Sequence, residues 1–330
     1  MKYKYKRLLL QWNPGRLLIS WLKQVRFSKY ENVSLYKILK IFLKNLMNDD
    51  ILDRANGVAF NFILAIFPAI IFLFTLIPYV TAFFPEINTE SIMEFIGQQI
   101  PPSMFEVVSS TVLDIVSNQR GGLLSLGFLF SAYLSTNGMM ALMRAFNACY
   151  RTIENRSGLK TRLIATGLTI NMTIVLFLAI ILLIVGQFIL DAIMSNLPAF
   201  EWINMSNFTV VLLFIVRFVV IFIAFFLAIS FIYYFGPAIH YNWRFFSVGS
   251  LLATFLCLAV SYGFSYYVTN FGTYNKVYGS IGVLIAIMIW IQLLTIMLLV
   301  GYEVNASIHD AIRKEALWNT RMHRLKKGVS

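Results

Sequence analysis

Residues 208–235 read FTVVLLFIVRFVVIFIAFFLAISFIYYF, a run interrupted by a single charge, Arg217. It is apolar all round, as a helix in lipid must be, and exceeds the roughly 20 apolar residues that cross about 30 Å of hydrocarbon. Five more runs of this kind lie at 58–84, 122–142, 163–190, 245–269 and 281–302. Hydrophobic residues make up 59% of the 330-residue chain and charged residues 13%, about half the charged share of a soluble domain. The fold class expected is all-α, a polytopic membrane protein with six transmembrane helices.

The basic residues orient those helices. Of 27 Lys and Arg, twelve fall in residues 1–55 and six in the tail after residue 302. The loop 143–162 carries five, whereas 85–120 carries Arg120 against Glu86, Glu90, Glu94, Glu106 and Asp114, and 191–207 carries none. Basic loops stay in the cytoplasm, so both termini are expected there, in a bacterial cytoplasmic (inner) membrane. The net charge of +12 reads as topology plus attraction to the anionic lipids of the inner leaflet. It does not indicate a nucleic-acid partner, because no basic soluble module accompanies it. The apolar piece Leu8–Leu10 is too short for a cleavable signal, leaving the first span as the insertion signal.

Three segments follow: a basic segment 1–55, a membrane domain 56–305 and a basic tail 306–330. Within the first, Leu35, Ile38, Leu39, Phe42, Leu43 and Leu46 recur at three- and four-residue steps opposite Lys37, Lys40 and Lys44. That spacing predicts an N-terminal amphipathic helix, either interfacial or packed on the cytoplasmic ends of the spans. The acidic external loop 85–120 is long for a connection, and its two helix-like pieces around Pro101-Pro102 predict a small external helical cap. Cys149 and Cys257 lie at different depths and read as reduced thiols.

Polar groups inside spans are costly and mark places to look for function. Asn61, Pro68 and Pro78 fall in the first span, and proline frees a carbonyl and kinks a helix. The second span holds Ser135-Thr136-Asn137-Gly138, the third Thr166, Thr169 and Thr173. Ser247, Ser250, Thr254, Cys257, Ser261 and Ser265 form one small, mildly polar face along the fifth. Such a face serves close helix packing or walls a hydrated cavity. Arg217, about 14 Å from the outer end of its helix, costs at least about 2.5–3.5 kcal/mol to insert. Either it snorkels outward, toward Asp191, or its planar charge holds a phosphate or carboxylate. Glu303, near the inner end of the last span, is expected to meet a basic residue or a helix N-terminus.

Enzyme chemistry is not expected. His240, His309 and His323 have no metal-binding spacing, and no nucleophile elbow, zinc-protease helix or phosphate-binding glycine loop occurs. No metal, catalytic residue or cofactor is assigned.

Several stretches resemble the YihY/BrkB family of bacterial inner-membrane proteins, formerly labelled ribonuclease BN. They are Gly57-Val58-Ala59-Phe60 through Phe67-Pro68, Ala145–Arg151, and Tyr233-Tyr234-Phe235-Gly236-Pro237 with Trp243. The most specific are Tyr278-Gly279-Ser280-Ile281-Gly282, then Trp290, then Gly301-Tyr302-Glu303-Val304-Asn305-Ala306. Gln292 departs from the family's apolar or aromatic run. The resemblance, covering about residues 37–310, implies six spans and an inner-membrane location and supplies no activity. Nuclease chemistry would need a clustered metal site, which the His and Asp content does not offer.

Two functions fit. One is a passive or secondary transporter of an anionic amphiphile or small anion, with Arg217, Asn61, Ser250, Thr254 and Ser261 as substrate-binding candidates and Pro68, Gly236 and Pro237 as hinges. The other is a non-transporting scaffold that organises envelope partners. Gly249 with Ala253, and Gly282 with Ala286, could seat internal neighbours or a second protomer.

Overall fold

The structure, a computed structural model, describes residues 13–27, 33–48, 50–80, 93, 121–150, 152–196, 205–238, 244–270 and 273–327. The expected cap in 85–120 lies outside these residues apart from Met93. Helix α1 (Asn13–Gln24) leads into a short antiparallel pair, β1 (Arg26–Phe27) and β2 (Val33–Ser34), in the register Arg26↔Ser34. Then come α2 (Leu35–Asn48), α3 (Ile51–Val80), α4 (Gly121–Cys149), α5 (Gly158–Asn196), α6 (Met205–Phe235), α7 (Val248–Asn270) and α8 (Thr273–Lys327). Six of them, α3 to α8, are long and apolar enough to cross a membrane, in agreement with the six runs read from the sequence.

Two ends differ from the expectation. Helix α3 starts at Ile51 rather than at the edge of the apolar run, with Asp53 in its first turn, where the helix dipole favours an acid. Helix α8 continues past residue 302 to Lys327, taking in most of the basic tail. No glycine or proline interrupts 302–327, and Gly328 follows the last helical residue, so nothing in that stretch stops the helix.

Of the two placements left open for the amphipathic helix, α2 takes packing against the extension of α8. Val33, Ile38 and Ala311 are buried together, with Ile41, Ile308 and Ile312 against them. Lys37 pairs with Glu315. Leu43 and Met47 stay exposed, at 52% and 72%.

Lipid tails are as apolar as leucine, so helix association in a membrane rests on fit rather than on the hydrophobic effect. The fit is concentrated at one end. Ala55 and Val58 open α3, Leu142 and Phe146 close α4, Ile232 and Tyr233 close α6, and Ala253 lies near the start of α7. With Leu299 and Tyr302 of α8 they form the largest buried cluster. The chain directions place all of these at the end where α2 docks, called here the basic end. Helices α3 and α4 approach closely through Gly138, where an added Cβ would meet the Phe62 ring at 2.7 Å.

Candidate functional site

At the basic end three aromatic rings interlock. Phe146 stacks on Tyr302 with centroids 4.3 Å apart, and Tyr233 meets both edge-on at 5.3 and 5.2 Å. Tyr233 donates from Oη to the Leu298 carbonyl at 2.5 Å. Beside them α7 and α8 cross nearly backbone to backbone. An added Cβ at Gly301 would lie 2.8 Å from the Gly249 carbonyl oxygen and 2.5 Å from the Ala253 Cβ.

The first N–H groups of a helix have no acceptor of their own, and those of α7 are met from two directions. Ser247 precedes the helix and accepts at Oγ from Ser250 N, 3.0 Å, as an N-cap does. Asn305 reaches across from α8, accepting from Gly249 N at Oδ1 and donating from Nδ2 to Ser247 Oγ, both at 2.8 Å. Two residues earlier the Glu303 carboxyl is fully buried. Its Oε1 accepts from Asn45 Nδ2 of α2 at 2.8 Å and from Ser307 Oγ at 3.3 Å. These two partners are an amide and a hydroxyl.

A second network ties the connection after α4 to the turn after α6. Glu154 accepts at Oε1 from Arg156 Nε, 2.7 Å, and at Oε2 from Asn147 Nδ2, 2.9 Å. Arg156 Nη2 donates to the Gly236 carbonyl at 2.8 Å, and Asn147 Oδ1 accepts from Ala238 N at 2.8 Å. The Arg156 guanidinium holds the Glu154 carboxyl below the usual carboxylate range.

Bordering this end, and sharing Ile229, Ile232 and Cys257 with its buried cluster, lies a different feature. Between α5, α6, α7 and α8 lies a cleft of about 410 Å³ with an entirely apolar lining, including Val175, Ile221, Phe225, Ala228, Cys257 and Leu294. Arg217 is exposed on α6, outside this lining. It precedes Ile221 by four residues, and Ile221, Phe225, Ala228 and Ile232 continue the same helical stripe down the cleft. The Arg217 Cα therefore lies one turn, roughly 6 Å along the axis, beyond that of Ile221, on the stripe that lines the cleft.

Residues 42–323 match the family described as Virulence factor BrkB. The chain belongs to that family. A ribonuclease-like protein, YfkH of Bacillus subtilis (strain 168), is 32% identical over 272 residues, covering 81% of this chain and 95% of the relative. UPF0761 membrane proteins are similar too. The one from Alteromonas mediterranea is 25% identical, covering 87% of this chain and 93% of its own. That from Mannheimia succiniciproducens is 24% identical, with 83% and 90% covered. No solved structure matches.

The residues whose spacing resembles the family's motifs are spread along the bundle. Gly301, Glu303 and Asn305 converge at the basic end, where all three are buried. Trp290 donates from Nε1 to Ser261 Oγ at 3.2 Å, locking α8 to α7 midway. Tyr278, Gly279 and Ser280 lie in the first turns of α8, and Gly282 is buried there. Among the candidate binding residues, Ser250 and Thr254 are fully buried against α8, and Thr254 Oγ1 donates to the Ser250 carbonyl at 2.8 Å. At this end the hydroxyl face serves close packing. Asn61 donates from Nδ2 to the Gly57 carbonyl of its own helix, 2.7 Å. Pro68 is half-buried, and α3 runs on through it to Val80. Gly236 and Pro237 are buried and Gly236 carries the Arg156 bond, so in this conformation the candidate hinge is clamped. Gln292, the departure from the family pattern, donates to Asn56 Oδ1 at 2.7 Å.

Sequence reading did not single out Asn45 or Glu154; it took Asn147 only as part of the stretch Ala145–Arg151 and Arg156 only as one of the basic residues of loop 143–162. Each lies outside the long apolar runs, where a polar residue has no insertion cost to mark it.

Proposed function

We propose that this BrkB-family membrane protein carries an anionic amphiphile across or within the bilayer, with both termini in the cytoplasm and no enzymatic step. The observation that supports this is the apolar cleft with Arg217 one turn beyond it on the same stripe of α6. A cleft lined by hydrocarbon side chains, the Met172 thioether and the Cys257 thiol offers nothing to a small hydrated ion, but it accepts an alkyl chain. The guanidinium beyond it suits a phosphate or carboxylate head. A chain in the cleft with its head at Arg217 accounts for both features, so the amphiphile is preferred to the small anion.

The test is flux of a fluorescent anionic lipid in liposomes bearing purified protein. Wild type is expected to move it and Arg217→Gln to lose the activity while remaining inserted and monodisperse. Equal flux in the two proteins would remove Arg217 from the site, and no flux in the wild type would remove the carrier reading.

A second reading, a scaffold for envelope partners, is favoured by a separate observation. Leu317 and Trp318 are exposed, at 62% and 59%, on the extension of α8. In that case wild type transports nothing, and Leu317→Asp with Trp318→Asp removes partner crosslinks formed in intact cells.

A further inference from the structure

Between α2, the end of α4 and the extension of α8 lies a second cavity, of about 420 Å³, within the size range of small-ligand sites. Its polar lining comes from separate elements: Lys44 and Asn45 of α2, Tyr150 just after α4, and Asp310, Arg313 and Lys314 of α8. Three cations thus face one cavity with a single carboxylate among the lining residues. That carboxylate is engaged, since Asp310 accepts from Lys314 Nζ one turn away at 2.5 Å. On the neighbouring turn Lys37 of α2 takes Glu315 of α8. Lys44 and Arg313 enter no ion pair among the described residues.

Like charges brought together by two docked helices repel, and the docking is weakened unless an anion joins them. Asn45 fixes this geometry, because its amide donates to the buried Glu303 carboxyl at 2.8 Å and pins α2 at the mouth of the cavity. The positive side chains therefore converge on a wall that is already positioned.

We propose that this cavity binds a phosphate group, carried either by the headgroup of an anionic lipid or by a small soluble molecule. Arg313 offers a planar fork that matches two phosphate oxygens, and Lys44 a compact charge from the opposite wall. Asn45 and Tyr150 line the remainder. The bound group joins α2 to α8 and couples the N-terminal segment to the last span. The site is distinct from Arg217 and does not rest on translocation.

The experiment uses the full-length protein in nanodiscs of phosphatidylcholine, alone or with phosphatidic acid, and in detergent with inorganic pyrophosphate. Lipid retention is read by native mass spectrometry, pyrophosphate affinity by calorimetry, and order in α2 by hydrogen exchange. Wild type is expected to retain phosphatidic acid over phosphatidylcholine and to slow exchange in Leu35–Asn48. Lys44→Gln with Arg313→Gln is expected to weaken binding about tenfold or more, whereas Lys44→Arg with Arg313→Lys keeps it. Lys40→Gln with Lys160→Gln, two exposed charges outside the cavity, leaves it unchanged. Binding of pyrophosphate as well as lipid assigns recognition to the phosphate itself; binding of lipid alone assigns it to the headgroup at the membrane. Equal losses in the cavity and control variants would overturn the site in favour of general surface charge, as would absence of binding by either probe.

Discussion

The two halves of the helical bundle solve different problems with similar apolar sequence. At the basic end, helices meet through glycine and are joined by side chains that cross from one helix to the next: Asn305 to α7, Glu303 to α2, Arg156 to the turn after α6. Away from it, α5 to α8 part around an apolar cleft that borders its buried cluster at Ile229, Ile232 and Cys257, and residues such as Phe177, Leu178, Phe218 and Ile223 face outward. In lipid an apolar surface costs nothing to leave open, whereas a polar group must find a partner. Rigidity therefore collects where the polar residues are. The basic end serves as a frame, and on the proposed reading the cleft beside it admits the amphiphile's chain.

The largest effect comes from breaking the frame at its closest contact. Gly249→Leu places side-chain atoms against the Gly301 carbonyl and the Asn305 amide, two groups that cannot withdraw without separating α7 from α8. Overpacking ordinarily costs about 1–3 kcal/mol, and a backbone obstacle puts this change at the upper end or beyond. Loss of monodisperse protein from detergent extracts is the expected result. Glu303→Ala is next. It leaves Asn45 and Ser307 without their acceptor in a buried site, at a cost of about 1–3 kcal/mol. Glu303→Gln keeps a carbonyl oxygen for the same donors and loses less, so thermal unfolding of the pair separates the hydrogen bonds from the charge.

Span number and helical class were legible because hydrocarbon imposes them on every residue of a run. The motif Gly301, Glu303, Asn305 was legible as a motif but not as a crossing point. Its partners Gly249 (of Gly301), Ser247 (of Asn305) and Asn45 (of Glu303) lie 52, 58 and 258 residues away in sequence, and no local period records them. The serine and threonine face of α7 shows the same limit: spacing placed Ser250 and Thr254 on one side, while only the position of α8 decided between packing and cavity. The cleft was illegible altogether, since an apolar wall facing a gap and one facing lipid have the same composition.

Filling the cleft tests the other half. Ala228 lines it, and Ala228→Phe adds a ring where there is room for one, so the protein is expected to fold with little change in stability. Flux of the anionic lipid should fall several-fold while binding at the basic end stays as it was. A fall in both would mean that the halves are coupled more tightly than their packing indicates.

The smallest effect is expected at the edge of the frame, in the Glu154–Arg156 latch. Folding lowers the affinity of the Glu154 carboxyl for protons, because Arg156 bonds its charged form. The unfolded chain then binds more protons in the window between the ordinary carboxylate value, about 4.5, and the lowered folded one. The latch is at full strength above the ordinary value and is lost as pH falls through that value to the folded one. Glu154→Gln has no such titration. Its melting temperature should therefore lie below that of wild type near pH 7, about 1–3 °C for an ion pair at a surface connection. The two should converge as the pH falls through the ordinary value to the lowered folded one. A gap that stayed constant with pH would assign the latch to the bonds that do not titrate here, Ala238 N to Asn147 and Arg156 to the Gly236 carbonyl, and leave the carboxylate's charge a bystander.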